Sequence, residues 1–117
     1  MAYVDGFVLA VPTENKVSYL ALAKIMAAIF KEYGALAIVE NWGDEVPEGK
    51  ITSFPLAVKC KSDETVVFSW ITWLSKEARD SAMKKVMADP RMNEENMTMP
   101  FDGKRMILGG FETILEE

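Results

Sequence analysis

The stretch ETVVFSWITW, Glu64 to Trp73, constrains this chain more than any other. Side chains on a strand alternate between faces, so Val67, Ser69, Ile71 and Trp73 point one way and Val66, Phe68, Trp70 and Thr72 the other. Neither set suits water. β-branched and aromatic residues dominate and no Gly or Pro interrupts, so the stretch reads as a central strand covered on both faces. A chain of 117 residues is expected to form one domain, residues 1–117, with a single core. The second cover is therefore expected to be another copy of the same chain.

Composition narrows the function classes. Half the residues are hydrophobic and 26% are charged, as in globular domains. No apolar run approaches the roughly 20 residues that span a bilayer, and MAYVDGF lacks the basic start and apolar block of a signal peptide. No membrane partner is expected, and the expected compartment is cytoplasmic. Histidine is absent and Cys60 is the one cysteine, which argues against zinc, imidazole catalysis and an internal disulfide. A formal charge of −5 argues against a nucleic-acid surface, and Gly103-Lys104-Arg105 is too small a basic cluster to reverse that. Neither a metal nor a cofactor is expected.

Read in order, residues 2–11 form a strand ended by Pro12, with Gly6 admitting a close neighbour or a bulge. Thr13 is placed to cap a helix over 14–33, closed by Gly34. Leu22, Ile25, Met26, Ile29 and Tyr33 should lie on the sheet, while Val17, Leu20 and Ala21 leave a second apolar side suited to a partner. A second strand covers 35–42, interrupted by Glu40. The next twenty-odd residues are rich in Gly and Pro, and Val46, Ile51, Phe54, Leu56 and Val58 anchor them as an ordered excursion. Lys59 and Lys61 flank Cys60 and would lower its thiol pKa, although no base accompanies it. Ser75 caps a helix over 76–88, Asp89-Pro90 restarts helical structure, and Met97 and Met99 read as adaptable core fillers. The last strand is expected over 105–115, with Gly109-Gly110 marking a bulge or a close approach.

The resulting order, βαββαβ, predicts an α+β domain of ferredoxin-like type: a four-stranded antiparallel sheet, its first and third strands central, with both helices on one face. The open face calls for a twofold dimer. YVDGF, GDEVPEGKITSFPLAVK, ETVVFSW, VMADPRM and MPFDGKRMILGGFE together resemble the DUF1428 family of small bacterial proteins, in register over nearly the whole chain. That resemblance implies a dimeric α/β barrel in a family without an established activity. The wider barrel superfamily includes cofactor-independent monooxygenases, heme-degrading enzymes and proteins with no known catalysis. The chain departs from the family pattern at Asn41, where cysteine is frequent, and in the more apolar first helix.

Glu40 and Arg105 fall in otherwise apolar strands, where a charge needs a partner. They form either a structural salt bridge or part of a pocket. In the pocket reading Glu40 or Asp5 serves as base or acceptor, Arg91 or Arg105 holds an anionic group, and Trp70 or Trp42 packs a flat ligand. No Gly-rich phosphate loop is present. The leading expectation is a homodimeric small-ligand-binding or interaction module, with a higher oligomer open through Leu20, Ala21 and Ile25. The alternative is a cofactor-independent monooxygenase or isomerase acting on a small aromatic substrate.

Overall fold

The structure, a computed structural model, describes residues 2–93 and 99–117. Strand β1 (Tyr3–Pro12) leads through a 3-10 turn at Thr13–Asn15 into helix α1 (Lys16–Glu32). Strand β2 (Ala37–Trp42), the single turn α2 (Phe54–Ala57), strand β3 (Glu64–Trp73), helix α3 (Lys76–Ala88) and strand β4 (Ile107–Glu112) follow. Further 3-10 turns lie at Pro90–Met92 and Gly103–Arg105. The sheet order is β2-β3-β1-β4, and every neighbouring pair is antiparallel. The first and third strands are thus central, as the apolar character of Glu64–Trp73 requires.

Register decides which side chains share a face. Tyr3 stands opposite Trp73 and Leu9 opposite Val67, so the odd-numbered residues of β1 and β3 form one layer. Helix α1 covers that layer with Leu22, Ile29 and Phe30, and α3 covers it with Ala82 and Val86. Trp73 is 0% exposed and meets Phe30 edge-on, with ring centroids 6.3 Å apart. On α1 the buried arc runs from Tyr19 through Leu22, Met26 and Ile29 to Phe30. Ile25, expected on the sheet, lies off that arc and is 55% exposed.

The helix starts also divide. Ser75 caps α3 as expected, its hydroxyl accepting from the Ala78 N–H at 3.1 Å. Thr13 does not cap α1, which begins three residues later without a side-chain cap. The Thr13 hydroxyl is 2.7 Å from that of Thr65 and its N–H donates to the Asp63 carbonyl, so it fastens the start of β3 instead.

Strand β4 is shorter than expected, because Arg105 belongs to the preceding 3-10 turn. Its register with β1 runs unbroken from Val8 opposite Ile107 to Tyr3 opposite Glu112, so Gly109-Gly110 forms no bulge. The glycines serve close approach. A Cβ on Gly6 or Gly109 would meet the Phe111 ring at 3.4 or 3.5 Å, and one on Gly110 would collide with the Tyr3 hydroxyl and the Arg79 guanidinium.

The opposite sheet face is only partly covered by the chain itself. Val58 from the excursion seals Val66 and Ala10, and Phe54 leans on Phe68 at 5.6 Å. Phe68, Ile107 and Phe111 remain 43%, 46% and 61% exposed. The two methionines expected as fillers separate: Met99 lies on a cavity wall, and Met97 lies outside the described residues. Among the described residues no helix is long and apolar enough to cross a membrane.

Candidate functional site

Between the helix-covered sheet face, α1 and the segment around Met99 to Met106 lies a cavity of about 150 Å³. Phe7, Leu9 and Ile71 form its floor, Leu22 and Met26 one wall, and Phe101 another. The wall is apolar except at one corner, where Tyr19, Glu40 and Ser69 meet. Glu40 and Ser69 stand directly opposite each other on β2 and β3, and Tyr19 descends from the first turn of α1. The Tyr19 hydroxyl donates to Glu40 Oε1 at 2.6 Å, and its ring meets Phe101 edge-on at 5.7 Å.

The chemistry of this corner follows from the partial burial of its carboxyl group: Glu40 is an exposed residue of the edge strand whose side chain reaches the cavity wall. Burial of the Glu40 carboxyl group raises its pKa, and hydrogen bonds from Tyr19 and Ser69 only partly offset that rise. Burial, followed by the neighbouring Glu40, lifts the Tyr19 phenol well above its ordinary range. Tyr19 therefore stays a neutral donor. No Lys or Arg among the described residues pairs with Glu40, so within the described residues neutral hydroxyls alone meet its carboxyl group. A carboxylate of raised pKa in such a pocket can accept a proton, or hold a donor group.

The other residues singled out in the sequence scatter. Trp70 contributes to the cavity wall from β3, with its ring against Phe68 at 5.4 Å. Trp42 lies under Lys16, 5.4 Å from ammonium to ring, and borders a second cavity of about 200 Å³ beside Gly43, Val46 and Phe54. Asp5 is 7% exposed, accepts from the Trp73 indole at 2.8 Å and lies 3.7 Å from Arg79, which donates to the Tyr3 hydroxyl. Arg91 grips Glu32 and Asp89, each at 2.7 Å, and so ties the end of α1 to the end of α3. Glu40 and Arg105 do not pair. Arg105 forks onto Glu64 at 2.6 and 2.7 Å, reaches Asp102 at 3.0 Å and donates to the Lys59 carbonyl at 2.8 Å. Its place before β4 sets it beside the start of β3, and its donors are taken up by the protein. Cys60 is also corrected: burial, then Glu64, raises its thiol pKa, and only Arg105 opposes.

Two members of the corner, Tyr19 and Ser69, are missed by a search for charged residues in apolar strands. Both leave a signal. Tyr19 extends the helical spacing of Leu22, Met26 and Ile29, and Ser69 is the one polar residue among Val67, Ile71 and Trp73. Among the described residues no group of three His, Cys, Asp or Glu side chains could hold a metal ion.

The Arg105 pair makes a pH prediction. Hydrogen bonds from Arg105 hold the Glu64 carboxyl at about 2, below its ordinary value of 4.5. A depressed carboxyl contributes stability above its unfolded value and loses it as the pH falls through the folded one. Thermal melts should show this contribution fading between pH 4.5 and about 2. Since the Glu64 side chain is only 5% exposed, Glu64→Gln should cost about 1 to 2 kcal/mol at pH 7 and flatten that decline. Identical acid profiles for variant and parent would mean that the pair contributes nothing.

Residues 2–103 match the sequence profile of DUF1428, described as a protein family of unknown function. Over 117 residues, all of both chains, the sequence is 58% identical to the uncharacterized protein YbaA of Escherichia coli K12. The YbaA of Shigella flexneri matches at the same identity and coverage. Among solved structures, the de novo designed protein Foldit4 aligns over 96% of this chain and 97% of its own, with 13% identity and a TM-score of 0.43, too distant to carry an argument.

Proposed function

Because the chain belongs to the DUF1428 family, for which no activity is described, we propose its function from its own geometry: a homodimeric module that binds a small, largely apolar molecule. The observation that carries this is the apolar cavity with its single polar corner, the usual form of a small-molecule site. Its volume resembles that of an engineered cavity of about 150 Å³ that takes up benzene, so a body of about one aromatic ring fits.

We read the order β2-β3-β1-β4 as ferredoxin-like, and the uncovered face as the surface on which a second copy closes a barrel. Phe68, Ile107 and Phe111 support that reading, because one contiguous apolar face of this kind is costly in water. A stable pair needs roughly 800 Å² from each partner, which a four-stranded sheet face can supply.

Ala23 lines the cavity from α1, and Ala23→Phe would fill it. A small aromatic compound at ten times its Kd should stabilise the parent by about 1.4 kcal/mol, raising Tm by several degrees, and leave a folded Ala23→Phe variant unmoved. Equal shifts in both proteins would place binding elsewhere and sink the reading.

One observation favours a second reading, a cofactor-independent monooxygenase or isomerase. Glu40, at the rim of an apolar cavity, has a pKa raised by partial burial, the direction a general base needs. Oxygen uptake with activated quinols, abolished by Glu40→Gln, would support it. Folded protein that turns over none of them would leave it without support.

A further inference from the structure

We propose that the ligand of this cavity is a protonated amine on an apolar body of about one ring, with its ammonium group seated on Glu40. The inference rests on the ligand-binding reading and adds the class of ligand. Among the described residues lining the cavity, Glu40 is the one charged side chain. A carboxylate accepts roughly four hydrogen bonds, and Tyr19 and Ser69 account for two. The remaining acceptor capacity has no partner among the described residues. An ammonium supplies both the donors and the missing charge, and charge-assisted hydrogen bonds are about twice as strong as neutral ones.

Four further features select the same class. Lys and Arg are absent from the described wall, so a carboxylate or phosphate entering the cavity would meet Glu40 as a like charge. The net charge of −5 repels anions and attracts cations at longer range. Glu40 is an exposed residue on the edge strand β2 while it also lines the cavity, so a charged headgroup there keeps part of its hydration as its tail is buried. That lowers the desolvation penalty that a fully enclosed ion pair would incur. The rings of Tyr19 and Phe101, 5.7 Å apart at the same corner, add faces on which a cation is favoured.

The test uses three probes that share a phenyl ring and differ in the headgroup: 2-phenylethylamine, 2-phenylethanol and 3-phenylpropanoate. Each is titrated calorimetrically at pH 7 into the full chain, into Glu40→Gln and into Ala23→Phe, with thermal melts confirming that each variant is folded. The amine should bind the parent at least about tenfold more tightly than the alcohol, and the propanoate more weakly than both. In Glu40→Gln the advantage of the amine over the alcohol should fall to within about twofold, because the amide still accepts from Tyr19 but carries no charge. Ala23→Phe should abolish binding of all three. If the alcohol matches the amine in the parent, or the amine keeps its advantage in Glu40→Gln, the amine inference is overturned while the cavity remains a binding site. If no probe binds the parent, or Ala23→Phe changes nothing, the ligand-binding reading fails and takes the inference with it.

Discussion

Trp73→Ala is expected to lower the folding free energy by about 3 to 5 kcal/mol, the range for removing a fully buried aromatic side chain. Trp73 has no exposed surface and fills the space between Phe30, Ala82 and Val86. Its indole also supplies the 2.8 Å hydrogen bond to the buried Asp5 carboxylate. Truncation thus leaves a void and removes a donor from a buried charge, with Arg79 still 3.7 Å away. Urea unfolding followed by circular dichroism would measure the loss. A cost below about 1 kcal/mol would mean that the core is not built around this residue.

A charge on the open sheet face should change the assembly altogether. Phe68→Glu and Phe111→Glu each place a carboxylate where a second copy is proposed to pack, and burying it unpaired costs several kcal/mol per copy. Sedimentation of the parent at micromolar concentration should give twice the chain mass of 13.1 kDa, and each variant should sediment as a folded monomer. A parent that is itself a compact monomer would refute the dimer. Variants that remain dimeric would move the interface, with the exposed Leu20 and Ile25 of α1 as the next surface to test.

Much of the fold was legible because it depends on pattern. Strand β3 was readable from parity and branching, and its sheet neighbours follow from the same alternation. The start of α3 was readable because Ser75 acts locally, through a bond to a residue three positions on. Thr13 has the same local chemistry and is claimed by Thr65, 52 positions away, which no local rule detects. Arg105 fails for a related reason: the apolar residues after it imitate a strand, while its position is set by Glu64, 41 residues earlier. The candidate site was half legible. Glu40 stood out as a charge in an apolar strand, but identifying Tyr19 as its partner required the crossing of α1 over β2 and β3, which is a property of packing.

The measurement that tests the central claim most directly is an NMR titration of the isotopically labelled chain with 2-phenylethylamine. The cavity and the open sheet face lie on opposite sides of the sheet, so chemical-shift mapping separates binding at one from binding at the other. The account predicts saturable shifts at Leu22, Met26, Ser69 and Ile71, which line the cavity, with Val8, Ile107 and Phe111 unmoved. Saturable shifts confined to Val8, Ile107 and Phe111, or none at the cavity residues up to millimolar probe, would contradict it.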